Sequence, residues 1–193
     1  MAKAIVGLGN PGPEYQRSRH NAGATLADHL VARWRLGPFR RGEQAVVATG
    51  RWNDTALRVL KPQTFMNASG DALRALRSPG FDPAADLLVL VDDIAFDPGE
   101  FRLRGAGSPG GHNGLRSIEA VLHRQDYARL RIGIGAKPPE YGDLADWVLG
   151  RMTPVERDAF DQAADTMAEA VECWISEGIE RAMNRFNRPG RDP

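Results

Sequence analysis

The chain has 193 residues, of which 42% are hydrophobic and 26% charged, enough for one domain with its own core and no need of covalent staples. A single cysteine, Cys173, excludes a disulfide framework and a thiolate metal site. The formal net charge is zero, no stretch approaches membrane-spanning length and no signal-peptide pattern opens the chain, so a cytoplasmic globular protein is expected.

The first strand is predicted at residues 3–7, where Ala4-Ile-Val6 leads into a long Gly/Pro-shaped loop. That loop, Gly7-Leu-Gly-Asn-Pro-Gly-Pro-Glu-Tyr-Gln-Arg-Ser-Arg-His20, carries Asn10 and His20 and precedes a helix predicted over 22–34. Strands over 44–50 and 57–61 flank Asn53-Asp54, which reads as a hairpin turn. A helix follows at 69–76. Residues 87–92 then form a run of Val and Leu suited to burial on both faces of a sheet. A strand at 101–104, a helix at 111–123, a strand at 130–134 and a helix at 144–149 complete the alternation. The last long helix starts at Thr153-Pro154, Thr as cap and Pro at the first helical position, with Phe160, Ala163, Met167, Ala170 and Trp174 as its apolar stripe. Strands alternating with helices predict a single three-layer α/β/α domain over 1–187, with a mixed, mostly parallel twisted sheet flanked by helices. The polar residues 188–193 read as a flexible C-terminal tail.

Charge is polarised along the chain. Residues 1–50 carry seven Lys/Arg against three acids, a net of +4; residues 100–136 carry a net of +3; residues 151–180 carry two arginines against eight acids, a net of −6. Such polarity can steer a polyanion to one face of a neutral molecule.

Several familiar patterns fail on mechanism. Gly7-x-Gly9-x-x-Gly12 has the letters of a dinucleotide-binding loop, but Pro11 and Pro13 lack the N–H groups a pyrophosphate needs, and no helix opens there. Ser108 lies one residue out of register for a nucleophile elbow, and Pro109 deletes the following N–H. Cys173, on the apolar side of the last helix, reads as a small core residue. His20, His112, Asp92 and Asp93 could converge on a metal, but no local ligand spacing supports one.

What remains is a set of polar residues at the ends of regular elements: Asn10, Asn67, Asp92 and Asn113, together with His20. In open α/β sheets, loops beyond the carboxyl ends of strands meet in one crevice. Histidine is the residue type suited to drawing a proton from water near neutral pH, a carboxylate can fix its tautomer, and neutral amides can hold a developing oxyanion. With no nucleophilic side chain in the set, water attack on an activated acyl group is the natural reaction.

Five motifs together, Gly7-Leu-Gly-Asn-Pro-Gly12, Arg19-His-Asn-Ala-Gly23, Lys61-Pro-Gln-Thr-Phe-Met-Asn-Ala-Ser-Gly70, Gly110-Gly-His-Asn-Gly-Leu115 and Arg129-Leu-Arg-Ile-Gly-Ile-Gly135, resemble bacterial-type peptidyl-tRNA hydrolases, in order and over nearly the whole chain. The resemblance implies hydrolysis of the ester joining a peptide to the 3′ end of tRNA. It implies His20 as catalytic base, Asp92 as its orienting partner and Asn10 beside them. Tyr15, Phe65, Met66, Asn67 and Asn113 would contact the substrate, and Arg104 and Arg131 would contact tRNA phosphate. No metal or organic cofactor and no protein partner is implied, and a monomer is expected. The chain departs from the family pattern at Val91, Ala95, Asp97, Pro109 and Arg104, and the altered Val91-Asp-Asp-Ile-Ala-Phe-Asp97 loop keeps both Asp92 and Asp93 open as orienters. A related RNA-binding module without turnover would keep the arginines but not a converging catalytic set. A metal-dependent hydrolase would lose activity with chelator.

Overall fold

The structure, a computed structural model, describes residues 2–76 and 78–187; the expected tail at 188–193 lies outside the described residues. Its strands are β1 (Lys3–Gly7), β2 (Arg40–Arg41), β3 (Ala45–Trp52), β4 (Thr55–Pro62), β5 (Leu87–Asp93), β6 (Phe101–Arg104) and β7 (Ala128–Gly133). Its helices are α1 (Ala22–Arg33), α2 (Pro83–Asp86), α3 (Asn113–Leu122), α4 (Leu144–Leu149), α5 (Pro154–Glu177) and α6 (Ile179–Phe186), with 3₁₀ segments at Arg19–Asn21 and Met66–Leu76.

The strands form one seven-stranded sheet in the order β2-β3-β4-β1-β5-β7-β6. The central β4, β1, β5 and β7 run parallel, while β2–β3, β3–β4 and β6–β7 pair antiparallel, so the sheet is mixed with a parallel centre. The period of two along each strand distributes the core. Ile5, Leu88 and Leu90 pack with residues of α1, α5 and α6, while Ala4, Val6, Leu87, Val89 and Val91 pack with residues of the Met66–Leu76 segment and α3. Burial of β5 on both faces follows from its unbroken Leu/Val run.

The alternation has a second consequence at the β6 edge. On β7, Ala128, Leu130 and Ile132 enter the core beneath α5. The intervening Arg129 and Arg131 pair in register with Arg104 and Arg102 of β6. One face of this edge is thus apolar and the other carries four arginines, a crowding of like charge that costs stability unless partners intervene.

Several local details differ from the sequence-based expectation, which contained neither β2 nor α2 and began α3 at residue 111. His20 sits on a 3₁₀ turn leading into α1 and not on open loop, because Ser18 and Asn21 close that turn. The segment after Phe65 is 3₁₀ from Met66 and kinked at Ala68, so it begins earlier than the helix read at 69–76. The last helical stretch breaks at Gly178, where a φ of 85° favours glycine, and continues as α6. No helix among the described residues is long and apolar enough to cross a membrane.

Candidate active site

A cleft of about 800 Å³ opens beyond the carboxyl ends of β1, β4 and β5. Its lining includes Asn10, Tyr15, His20, Phe65, Met66, Asn67, Asp92, Arg104, Asn113 and Arg131, so all the residues singled out from the sequence meet on one wall system.

At its floor lies a hydrogen-bonded chain. His20 Nδ1 is 2.8 Å from Asp92 Oδ2, and His112 Nε2 is 2.9 Å from Asp92 Oδ1. The tautomers follow from the partners. His112 Nδ1 accepts from the N–H of Gly114 at 3.1 Å, capping α3, so its proton is on Nε2 and that atom donates to Asp92. Burial opposes the charge on Asp92, yet the two imidazoles, His112 foremost, overcome it and hold the carboxyl well below the usual aspartate range. An ionised carboxylate only accepts, so His20 donates from Nδ1 and keeps a lone pair on Nε2. That Nε2 has no hydrogen-bond partner among the described residues, and the ring is on the cleft wall.

His20, Asp92 and His112 also form a group whose ligand atoms lie within 4.8 Å of one another. A metal there would need the lone pair of His112 Nε2, which the helix-cap bond assigns to a proton. The donor set fits a hydrogen-bonded relay better than a coordination shell.

Asn10 is held by both its backbone and its side chain. Its N–H donates to Asn21 Oδ1 at 2.9 Å, and Asn21 Nδ2 donates back to the Asn10 carbonyl at 2.9 Å. The Asn10 Oδ1 accepts from the N–H of Met66 at 2.7 Å. This contact fixes the amide orientation and leaves its NH₂ for a ligand. Asn67 and Asn113 are exposed on the cleft rim with no side-chain bond among the described residues.

The two adjacent aspartates separate cleanly. Asp92 meets the histidines, whereas Asp93 pairs with Arg131 Nε and accepts from the N–H of Ala95 at 2.8 Å. Arg104 is exposed and without a carboxylate partner among the described residues.

Sequence reasoning missed three contributors. Asn21 lies within a motif that was singled out, but its pairing with the Asn10 backbone has no sequence signature. His112 is read from the sequence only as a possible metal ligand, inside a helix over 111–123; the helix instead opens at Asn113, which makes His112 its cap. Arg129 is only 2% exposed and donates to the carbonyls of Ser108 (3.3 Å) and Gln125 (3.0 Å), tying the Gly-rich loop to β7. Ser108 is accordingly a loop anchor, and Cys173 is buried, with its thiol pushed up by that burial and by Glu177.

A family model described as peptidyl-tRNA hydrolase matches residues 4–192. The peptidyl-tRNA hydrolase of Gemmatimonas aurantiaca is 50% identical over 191 residues, covering 96% of this chain and 100% of the relative. That of Symbiobacterium thermophilum is 46% identical over 190 residues, covering 97% and 100%. Among solved structures, the peptidyl-tRNA hydrolase of Acinetobacter baumannii superposes with a TM-score of 0.87 at 33% identity, covering 96% of this chain and 94% of that one.

Proposed function

The chain belongs to the peptidyl-tRNA hydrolase family and hydrolyses peptidyl-tRNA to release the tRNA, and we propose that it does so without a metal, with His20 as general base and water as nucleophile. The water gives a proton to His20 Nε2 as its oxygen attacks the ester carbonyl. Asp92 stabilises the resulting imidazolium through Nδ1–H. The Asn10 and Asn67 amides donate to the carbonyl oxygen as negative charge develops on it. Collapse of the tetrahedral intermediate breaks the ester C–O bond, and the ribose oxygen leaves with the proton held by His20. Tyr15, Phe65, Met66 and Asn113 bind the peptide end, and Arg104 and Arg131 take phosphates of the tRNA, an arrangement that gives salt-dependent affinity with little sequence reading. The domain spans residues 1–187 and works as a cytoplasmic monomer without a cofactor.

The observation that carries this reading is the His20 Nδ1···Asp92 Oδ2 hydrogen bond of 2.8 Å, which leaves Nε2 basic. Incubation with peptidyl-tRNA is expected to release free tRNA equally with and without chelator. His20→Ala should lower turnover by about 10²–10⁴-fold while tRNA affinity stays near wild type. Loss of activity with chelator, or near-normal turnover of the variant, overturns the mechanism.

A further inference from the structure

Two of the arginines on the cleft wall differ in their surroundings. Arg104 has no carboxylate partner among the described residues, whereas Arg131 carries one already: its Nε donates to Asp93 Oδ2. Asp93 ends β5, paired with Gly133, two residues along β7 from Arg131, so the two side chains are diagonal neighbours on one sheet face. The other oxygen of Asp93 accepts from the N–H of Ala95, which fixes the carboxylate. The pair is only part-buried, 14% exposed on Asp93 and 32% on Arg131, and both residues line the substrate cleft. The Arg131 guanidinium also lies 5.2 Å from the centre of the Phe96 ring, with Arg102 5.5 Å from the same ring.

We propose that Asp93 is a resident counter-anion that sets the specificity of the phosphate site at Arg131. Carboxylate and phosphate compete for the same guanidinium fork. An isolated anion must displace or share Asp93 with nothing else to hold it. A tRNA that also engages Arg104 does so as an intramolecular second step, at high effective concentration. Asp93 therefore excludes small phosphates and mononucleotides, admits a phosphodiester backbone that offers several phosphates at once, and keeps the released tRNA from binding too tightly. The proposal rests on the reading of Arg131 as a phosphate contact.

The test is the dissociation constant of deacylated tRNA between about 50 and 200 mM salt. It compares wild type, Asp93→Asn, Arg131→Ala and the double variant. Asparagine keeps an oxygen for the Ala95 N–H, so the turn is retained; Asp93→Ser, whose hydroxyl can also accept there, should act in the same direction. Asp93→Asn is expected to tighten tRNA binding about threefold to tenfold. It should also steepen the log–log salt slope by up to about one unit and let inorganic phosphate compete at lower concentration. In the Arg131→Ala background the same substitution should change affinity less than about twofold. Unchanged or weaker binding by Asp93→Asn and Asp93→Ser, with Arg131→Ala still weakening it, overturns the counter-anion. Equal tightening in both backgrounds overturns it too, since only bulk charge would then be at work. If Arg131→Ala alone leaves affinity and slope unchanged, the phosphate reading of Arg131 fails instead.

Discussion

Asp92 is the residue whose replacement has the most specific consequence, because His112 dictates how an amide would sit in its place. In Asp92→Asn the Nε2–H of His112, fixed by the helix cap, claims the amide oxygen. The NH₂ then faces His20 Nδ1 and must donate to it, which moves the imidazole proton to Nε2. The base is abolished by tautomer while the fold is kept. Turnover should fall by about 10²–10⁴-fold with a small change in KM, measured by steady-state kinetics on peptidyl-tRNA; a loss below tenfold would mean the tautomer is not the controlling feature. A stability signature accompanies it. The Asp92 carboxyl is held below its usual range, so its contribution is present above the unfolded-state value of about 4 and is lost as pH falls further, through the folded value. The gap in thermal midpoint between wild type and Asp92→Asn should therefore narrow on going from neutral pH to below about pH 4; a constant gap would contradict the pairing. The sequence marked an aspartate here but left Asp92 and Asp93 open, because neighbouring residues at a strand end differ only in the face they take. His112 was hidden for another reason: one ring serves as helix cap and as donor, and a cap alone explains its position.

At the scale of elements, α4 forms one wall of the cleft through Leu144, Ala145, Val148 and Leu149, and a cluster centred on Arg19 holds that wall to the His20 turn. The Arg19 guanidinium lies 3.6 Å from the centre of the Trp147 ring, donates to the Trp147 carbonyl at 3.3 Å and donates from Nη2 to both carboxylate oxygens of Glu156, at 2.8 and 3.1 Å. Glu156 also completes the capping box of α5, accepting from the N–H of Thr153 at 2.6 Å while Thr153 Oγ1 accepts from the N–H of Glu156. The two duties predict a ranking. Thr153→Ala loses a cap and should cost about 1 kcal/mol. Glu156→Gln leaves Arg19 buried without its counter-charge and should cost about 3 kcal/mol. Chemical denaturation of both variants checks this; glutamine can still complete the capping box, so a cost for Glu156→Gln no larger than that for Thr153→Ala would mean that the buried ion pair is worth no more than one cap. The Thr153-Pro154 start of α5 was legible because caps are local, two or three residues deep. The Arg19–Glu156 pair joins residues 137 apart and has no periodic or local signature. The α5–α6 break was missed because the apolar stripe continues across Gly178 while only the backbone changes.

For the whole molecule, the alternation of strands and helices made the layered sheet readable, since helical segments fall between the strands of the parallel centre and β5 is an unbroken Leu/Val run. Charge was less readable. Part of the positive charge of residues 1–50 meets the acidic residues 151–180 across a packed surface, where Arg33 pairs with Asp165 and Glu172 and Arg19 with Glu156. Those pairs neutralise one another in the fold, and segment totals could not reveal it. At the cleft, the charge open to a polyanion is on the β6–β7 face, where Arg104 has no carboxylate partner among the described residues. Steering should therefore be local to the cleft. The second-order rate constant for peptidyl-tRNA should fall as salt rises, and Arg104→Ala should lower it and flatten the log–log slope by about one unit. Asp158→Asn with Glu169→Gln removes two exposed acids of α5 that are not part of the cleft, and shifts the net charge in the direction that favours tRNA. If total charge governed the encounter, that pair would raise the rate constant and alter the slope. If the cleft arginines govern it, the slope stays within a few tenths of wild type, because screening over about 10 Å isolates α5 from the incoming phosphates.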